Sequence, residues 1–252
     1  MSGAPSVLVT GASGYVGRLC LAALAQRKGE LSRLVALDWA PPAHRLPDVI
    51  YEQRDICDPD LADLLRQHRI DTIVHLASIV RKPAGAPKDI AYRVDVLGTR
   101  NVLESATAAG ATRLVVTSSG AAYGYHRDNP ALLDEEAPLR GNDEFEYARN
   151  KRLIEDTLAQ WRRDRPALQQ IVFRPGTIIG ESVHSPVTDV FERSFILGIA
   201  GADSPFVFIW DEDLVACIVA AVFGGKPGIY NQAGDGALTT REIARLLRKP
   251  YV

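Results

Sequence analysis

Short apolar runs alternate along this chain with longer stretches whose apolar positions recur every three or four residues. Runs at 6–10, 33–38, 49–53, 71–76, 113–118 and 169–174 have the length of strands, while 15–26, 59–68, 87–109 and 144–163 carry the helical period. Strands that alternate with helices predict βαβ units and a parallel sheet. Leu34-Val35-Ala36-Leu37, Thr72-Ile73-Val74 and Leu114-Val115-Val116 are close to continuous apolar runs, as strands covered by helices on both faces are. The expected fold is therefore α/β with a doubly wound parallel sheet.

After Pro175 the rhythm loosens. A helix is predicted at 187–197, a strand at 206–209, a helix at 212–223 and a short strand at 228–230. Thr239 and Glu242 form a capping-box pattern ahead of the apolar stretch 243–247, so a last helix is predicted there. The stretch 39–47 is rich in Pro and Ala and reads as a plain connection.

Thr10-Gly11-Ala12-Ser13-Gly14-Tyr15-Val16-Gly17 ends the first predicted strand and opens the first helix. Gly11 permits a tight turn, Gly14 a close backbone approach to a pyrophosphate, and Gly17 close packing of helix on sheet. The helix start then offers free N–H donors and its positive dipole end to an anion. Asp38 ends the second predicted strand, twenty-one residues beyond Gly17. A carboxylate there accepts hydrogen bonds from the adenosine ribose hydroxyls and repels a 2′-phosphate, which favours NAD over NADP. This context makes the fold a Rossmann sheet. Residues 1–175 are read as the NAD-binding domain, to which 206–224 returns. Residues 176–205 and 225–252 are read as a substrate-binding lobe, small or cut short.

Tyr147 and Lys151 stand four apart in a predicted helix and share a face. A free phenol keeps its proton to about pH 10, so it is a poor base near neutrality; an ammonium beside it favours the phenolate. Such a pair can move a proton to or from a substrate hydroxyl as hydride is exchanged at the carbon. Thr117-Ser118-Ser119 follows the fifth predicted strand, at the carboxyl edge where parallel sheets place ligands. Ser119 is positioned to hydrogen-bond the reacting oxygen.

The bulk composition argues for this class mainly by exclusion. The net charge is −2, and Lys and Arg are scattered, which speaks against a nucleic-acid partner. The cluster Arg162, Arg163 and Arg165 reads as a solvated helix end. No apolar run is long enough for a membrane span. Cys20, Cys57 and Cys217 have no metal spacing and lie in apolar stretches; they read as reduced core residues, in keeping with a cytoplasmic protein. His44, His68, His126 and His184 show no ligand spacing, and His75 reads as a packing residue. Asp211-Glu212-Asp213 reads as the acidic first turn of a helix. No metal site is expected.

Together these motifs make the chain resemble the extended short-chain dehydrogenase/reductases, the NAD-dependent epimerase/dehydratase family. The resemblance rests on the glycine turn, Asp55-Ile56-x-Asp58, His75-Leu76-Ala77-Ser78, Asp95-Val96-x-Gly98-Thr99, Ser118-Ser119 with Tyr123-Gly124, Tyr147-x-x-x-Lys151 with Glu155, and Arg174-Pro175. It implies Tyr147 as acid/base, Lys151 as the cation that activates it and holds the nicotinamide ribose, and Ser119 as the group polarising the substrate oxygen. It implies a cofactor cleft formed by Gly11, Ser13, Gly14, Tyr15, Val16, Gly17, Asp38, Asp55, Ile56, Leu76, Ala77, Ser78, Thr117, Tyr147, Lys151 and Pro175. It also implies a homodimer formed through the helices at 87–109 and 144–163. The expected substrate is a small hydroxyl or carbonyl compound, with a sugar or nucleotide sugar among the candidates. Thr177 replaces the Asn common in nucleotide-sugar members, Asp95 stands where Asn is frequent, and the stretch 204–211 is more apolar than theirs; all three weaken that candidate. The alternative reading is a non-catalytic NAD-sensing protein. Such relatives usually lack the Tyr or the Lys, and this chain has both.

Overall fold

In the computed structural model, which describes residues 3–183, 185, 187–198 and 205–252, β1 (Ser6–Thr10) runs through the middle of a parallel sheet. β2 (Arg33–Asp38) and β3 (Ile50–Gln53) extend it on one side. β4 (Thr72–His75), β5 (Arg113–Thr117), β6 (Gln169–Pro175) and β10 (Gly228–Gln232) extend it on the other. The order is β10-β6-β5-β4-β1-β2-β3. After β3 the chain crosses back to β4, and this reversal opens a crevice at the carboxyl ends of β1 and β4.

Successive residues of a strand face opposite sides, so each apolar run feeds two cores. Val7 and Val9 pack with α1 (Tyr15–Gln26) and α7 (Asp211–Val222), whose Leu21, Leu24, Leu214 and Ile218 are buried there. Leu8 faces the other side with α2 (Leu61–Gln67), α4 (Thr99–Ala109) and α5 (Glu146–Asp164), through Leu61, Leu65, Leu103, Ile154 and Leu158. Each such side chain contributes about 1.5–3 kcal/mol by leaving water.

The helix predicted over 87–109 is not continuous. It begins with the single turn α3 (Ile90–Tyr92), widens into a π-helical segment, Arg93–Gly98, and resumes as α4. The wider turn carries Asp95 into the interior, where Oδ1 accepts the Ile79 N–H at 2.9 Å. Gly98 leaves the space that the Ile56 side chain fills.

The second half departs further from the sequence pattern. The helix expected at 187–197 is α6 (Thr188–Glu192), which stops where Arg193 turns extended. The strand expected at 206–209 is two strands. β8 (Pro205–Phe206) pairs antiparallel with β11 (Leu238–Thr239), and β9 (Phe208–Trp210) pairs parallel with β7 (Thr177–Ile179). The Phe191, Phe206 and Phe208 rings meet at 5.3 to 6.1 Å and pack α6 against these strands. The capping box forms as expected on α8 (Thr240–Leu246). His184 and Ser204 lie outside the described residues.

Two local expectations need correction. Cys20 is a core residue, but Cys57 and Cys217 are half-buried. Arg162 is not simply solvated: it donates to Gln170 Oε1 at 2.8 Å, because α5 ends beside β6.

Candidate active site at the carboxyl edge of the sheet

The turn after β1 is packed against the end of β4. Gly11 has φ +68°, and a Cβ there would stand 2.6 Å from the Ala77 nitrogen. A Cβ on Gly17 would overlap the Gly11 carbonyl oxygen. No side chain caps α1, and its first turn, which includes Val16, holds no acid. Its first N–H groups therefore stay available to an anion. Asp38 accepts the Ser13 N–H at 2.9 Å through Oδ2 and the Ala40 N–H at 3.0 Å through Oδ1. Each carboxylate oxygen keeps a further lone pair. These features fit the pyrophosphate and adenosine ribose of a dinucleotide.

A cavity opens beside Asp38, lined by Ser13, Ala40, Pro42, Arg45 and Tyr51. Arg45 lies over the Tyr51 ring, 5.1 Å from its centroid, and the Tyr51 hydroxyl accepts the Leu46 N–H at 2.8 Å. The Pro-rich stretch expected to be a plain connection is thus a wall of this cavity, held there by Tyr51.

Tyr15 donates its hydroxyl to Asp211 at the start of α7. Burial, then this carboxylate, pushes the Tyr15 phenol above its ordinary range. Asp211 is buried and also accepts the Glu212 N–H at 2.8 Å. It is therefore a tie between two helix starts and not a solvated acid.

Lys151 is buried, with Nζ 5.5 Å from the Tyr147 ring centroid. It donates to Ser78 Oγ at 3.1 Å. That bond joins α5 to Leu76-Ala77-Ser78 at the end of β4. Ser119 follows β5 and caps a 3-10 turn, Gly120–Tyr123, by accepting the Ala121 N–H at 3.1 Å. The hydroxyl hydrogen of Ser119 is not used in that bond. Thr117 ends β5 and Pro175, buried, ends β6. Ile56 is buried on the rim, and the Asp55 carboxylate is already held by Arg93 at 3.0 Å and by the Cys57 N–H at 2.9 Å.

Behind the site lies a buried polar layer whose full extent the sequence does not reveal. Thr99 donates to the Asp95 carbonyl at 2.6 Å. Its oxygen must then accept from His75 Nε2 at 3.0 Å, which leaves His75 Nδ1 to accept from Thr10 at 2.7 Å. Burial, helped by Lys151, pushes the His75 imidazolium down to about 3, so the ring is neutral. Burial pushes the Asp95 carboxyl up, opposed by Lys151, the Ile79 N–H and the Ser78 and Asn150 side chains. On the other side of the site, Arg174 and Glu155 form a bidentate pair at 2.8 and 3.0 Å. Arg174 also donates to Tyr123 at 2.8 Å, and Tyr123 donates to Asn231 at 2.7 Å. Tyr123, Glu155 and Arg174 stand in recognisable motifs. Asn231 and its partner Glu135, which accepts the Asn231 N–H at 2.7 Å, carry no signal because 96 positions separate them.

The NAD dependent epimerase/dehydratase family matches residues 7–231. An uncharacterised protein of Mycobacterium tuberculosis is 25% identical over 244 residues, 95% of this chain and 65% of that protein. The N-acetyl-alpha-D-glucosaminyl-diphospho-ditrans,octacis-undecaprenol 4-epimerase of Escherichia coli O157:H7 is 34% identical over 191 residues, 75% of this chain and 53% of that enzyme. The chain spans only 60% to 65% of the length of the curated relatives that it matches almost throughout. Among solved structures, DesIV, the dTDP-glucose 4,6-dehydratase of Streptomyces venezuelae with NAD bound, superposes with a TM-score of 0.77 at 25% identity. That match covers 96% of this chain and 80% of DesIV.

Proposed function

The chain belongs to the NAD-dependent epimerase/dehydratase family, and we propose that it binds NAD and exchanges hydride at a hydroxyl-bearing carbon of a sugar carried on a diphosphate. The observation that carries this reading is the buried Lys151 ammonium, 5.5 Å from the Tyr147 ring, at the crevice between β1 and β4. NAD, when bound, supplies the hydride acceptor and donor. The α1 start and the glycine turn would hold its pyrophosphate, Asp38 its adenosine ribose, and Lys151 its nicotinamide ribose. The E. coli relative and the Streptomyces neighbour are both named for a sugar joined to a diphosphate, and this supports the substrate class.

Tyr147 takes the proton from the substrate hydroxyl in the oxidising direction and returns it in the reducing one. Lys151 stabilises the phenolate between those steps by charge proximity. Ser119 donates the hydrogen left free by its capping bond to the reacting oxygen, orienting it toward Tyr147. Proton transfer from a positioned group is worth about 10²–10⁴-fold in rate.

The test begins with denatured protein, from which chromatography should release close to one NAD per chain. Native protein given UDP-glucose or dTDP-glucose should then convert the sugar, and Tyr147→Phe should abolish conversion while keeping NAD. Protein that neither carries nor binds NAD overturns the reading. NAD bound only reversibly, with net NADH formed, would redirect it from an epimerase or dehydratase to a simple dehydrogenase.

A further inference from the structure

Two exposed aromatic side chains stand beside Tyr147 and have no part in the machinery described above. The Phe145 ring lies 6.2 Å from Tyr147 and 6.0 Å from Tyr125, both at tilted angles. Tyr125 is 67% exposed and Phe145 47%, so the two adjacent rings form an aromatic pair that a ligand can reach. Neither ring sits there by accident of a loose loop. The Tyr125 N–H donates to Asn142 Oδ1 at 2.7 Å, and the Asn142 main-chain oxygen accepts the Phe145 N–H at 3.3 Å. One asparagine thus ties down the backbone at both rings. The same strip is continued by Gly141 N–H to Ala122 at 2.9 Å, Arg140 N–H to Tyr123 at 3.3 Å and His126 Nε2 to the Arg140 carbonyl at 2.7 Å. Burial, and then the nearby Tyr147 phenol, pushes the Tyr125 phenol above its ordinary range.

We infer that Tyr125 and Phe145 form an aromatic wall that stacks on the C–H face of the reacting sugar ring and so selects the sugar, not its diphosphate carrier. This inference rests on the proposed chemistry. Any hydroxyl that exchanges a proton with Tyr147 lies within hydrogen-bond reach of it, about 2.6–3.2 Å. The ring bearing that hydroxyl then comes within reach of Phe145, next to Tyr147, and of Tyr125, which stands against Phe145. An aromatic face is electron-rich and attracts the positively polarised C–H bonds of a pyranose face. Because the backbone that carries both rings is tied in advance, only the side-chain torsions remain to be ordered by the contact.

The experiment compares a sugar nucleotide with its own nucleoside diphosphate on NAD-loaded protein. Binding of UDP-glucose against UDP, and of dTDP-glucose against dTDP, is measured by calorimetry for wild type, Tyr125→Ala, Phe145→Ala and Tyr125→Phe. Each alanine variant should weaken the sugar nucleotide by about 3–10-fold and leave the nucleoside diphosphate and NAD unchanged. Tyr125→Phe should stay close to wild type, since the ring remains. Equal affinities in wild type and the alanine variants, equal losses for sugar nucleotide and nucleoside diphosphate, or a Tyr125→Phe loss as large as that of Tyr125→Ala would overturn the wall. A change in apparent mass on gel filtration in place of any change in sugar affinity would mark the pair as a protein contact and likewise overturn it. Wild-type protein that holds NAD but binds none of the four compounds would instead sink the diphosphate-sugar reading, and the wall with it.

Discussion

Lys151 donates to Ser78 at 3.1 Å, which ties the middle of α5 to the chain leaving β4. The ammonium is buried, so the hydroxyl replaces water that the cation has lost. Hydrogen bonds to charged groups contribute about 1.5–3 kcal/mol. Ser78→Ala should lower turnover by roughly 10-fold or more, and Ser78→Thr should restore most of it. Steady-state rates on a converted sugar nucleotide give the answer, and an unchanged rate in Ser78→Ala would remove Ser78 as the anchor of Lys151.

Asp38 governs the choice of cofactor in the proposed reading. Its carboxylate is held by the Ser13 and Ala40 N–H groups and faces a cavity that Arg45 also lines. Asp38→Ala removes the negative charge that opposes a 2′-phosphate. The ratio of NADP to NAD dissociation constants should fall by at least about 5-fold, one opposed charge near a protein surface being worth on the order of 1–4 kcal/mol. Titration of both cofactors tests this, and an unchanged ratio would mean that the selector lies elsewhere.

Glu155 and Arg174 hold α5 against β6 with side chains only 1% and 3% exposed. Breaking one partner of a buried pair leaves an uncompensated charge and costs about 3–5 kcal/mol. Glu155→Gln should therefore lower the melting temperature by roughly 10 °C, at about 2–4 °C per kcal/mol for a chain of this size. A shift under about 2 °C in thermal unfolding would show that the pair adds little.

His75 makes the fold acid-sensitive. Its imidazolium is pushed from 6.5 down to about 3 in the folded state. Between those values the unfolded chain takes up a proton that the folded chain refuses, so stability falls as the pH drops from 6.5 toward 3, by up to about 1.4 kcal/mol per pH unit. The raised Asp95 carboxyl acts in the opposite sense, since its protonated form favours the folded state above pH 3.8. His75→Gln should be less stable near neutrality yet show a shallower loss between pH 6.5 and 4. Parallel melting curves for the two proteins across that range would rule out His75 as the cause.

Helices α1 and α5 and strands β1, β2, β4, β5 and β6 were legible within one or two residues because their signals are local. A period of 3.6, an all-apolar run, and a glycine that no side chain can replace each act within one turn or strand. The Tyr147–Lys151 face and the Gly11–Gly17 turn were readable for the same reason. The short pairings β7–β9 and β8–β11 were not, since strands of two or three residues take their stability from the Phe191–Phe206–Phe208 cluster and not from their own sequence.

The sequence by itself determined the parallel sheet and the glycine turn that opens α1, since both follow from backbone geometry and spacing along the chain, and it singled out Tyr147 and Lys151, the pair proposed to exchange a proton, through the family motif. Tertiary structure alone decided that Ser78 holds Lys151, that Tyr15 ties α1 to Asp211, that Arg45 closes over Tyr51, and that Asn142 sets Tyr125 and Phe145 beside Tyr147. Lys151 and Ser78 are 73 positions apart and Tyr15 and Asp211 are 196 apart. A hydrogen bond or ring contact between them pays no local conformational dividend, and it forms only once the sheet has fixed both ends in place.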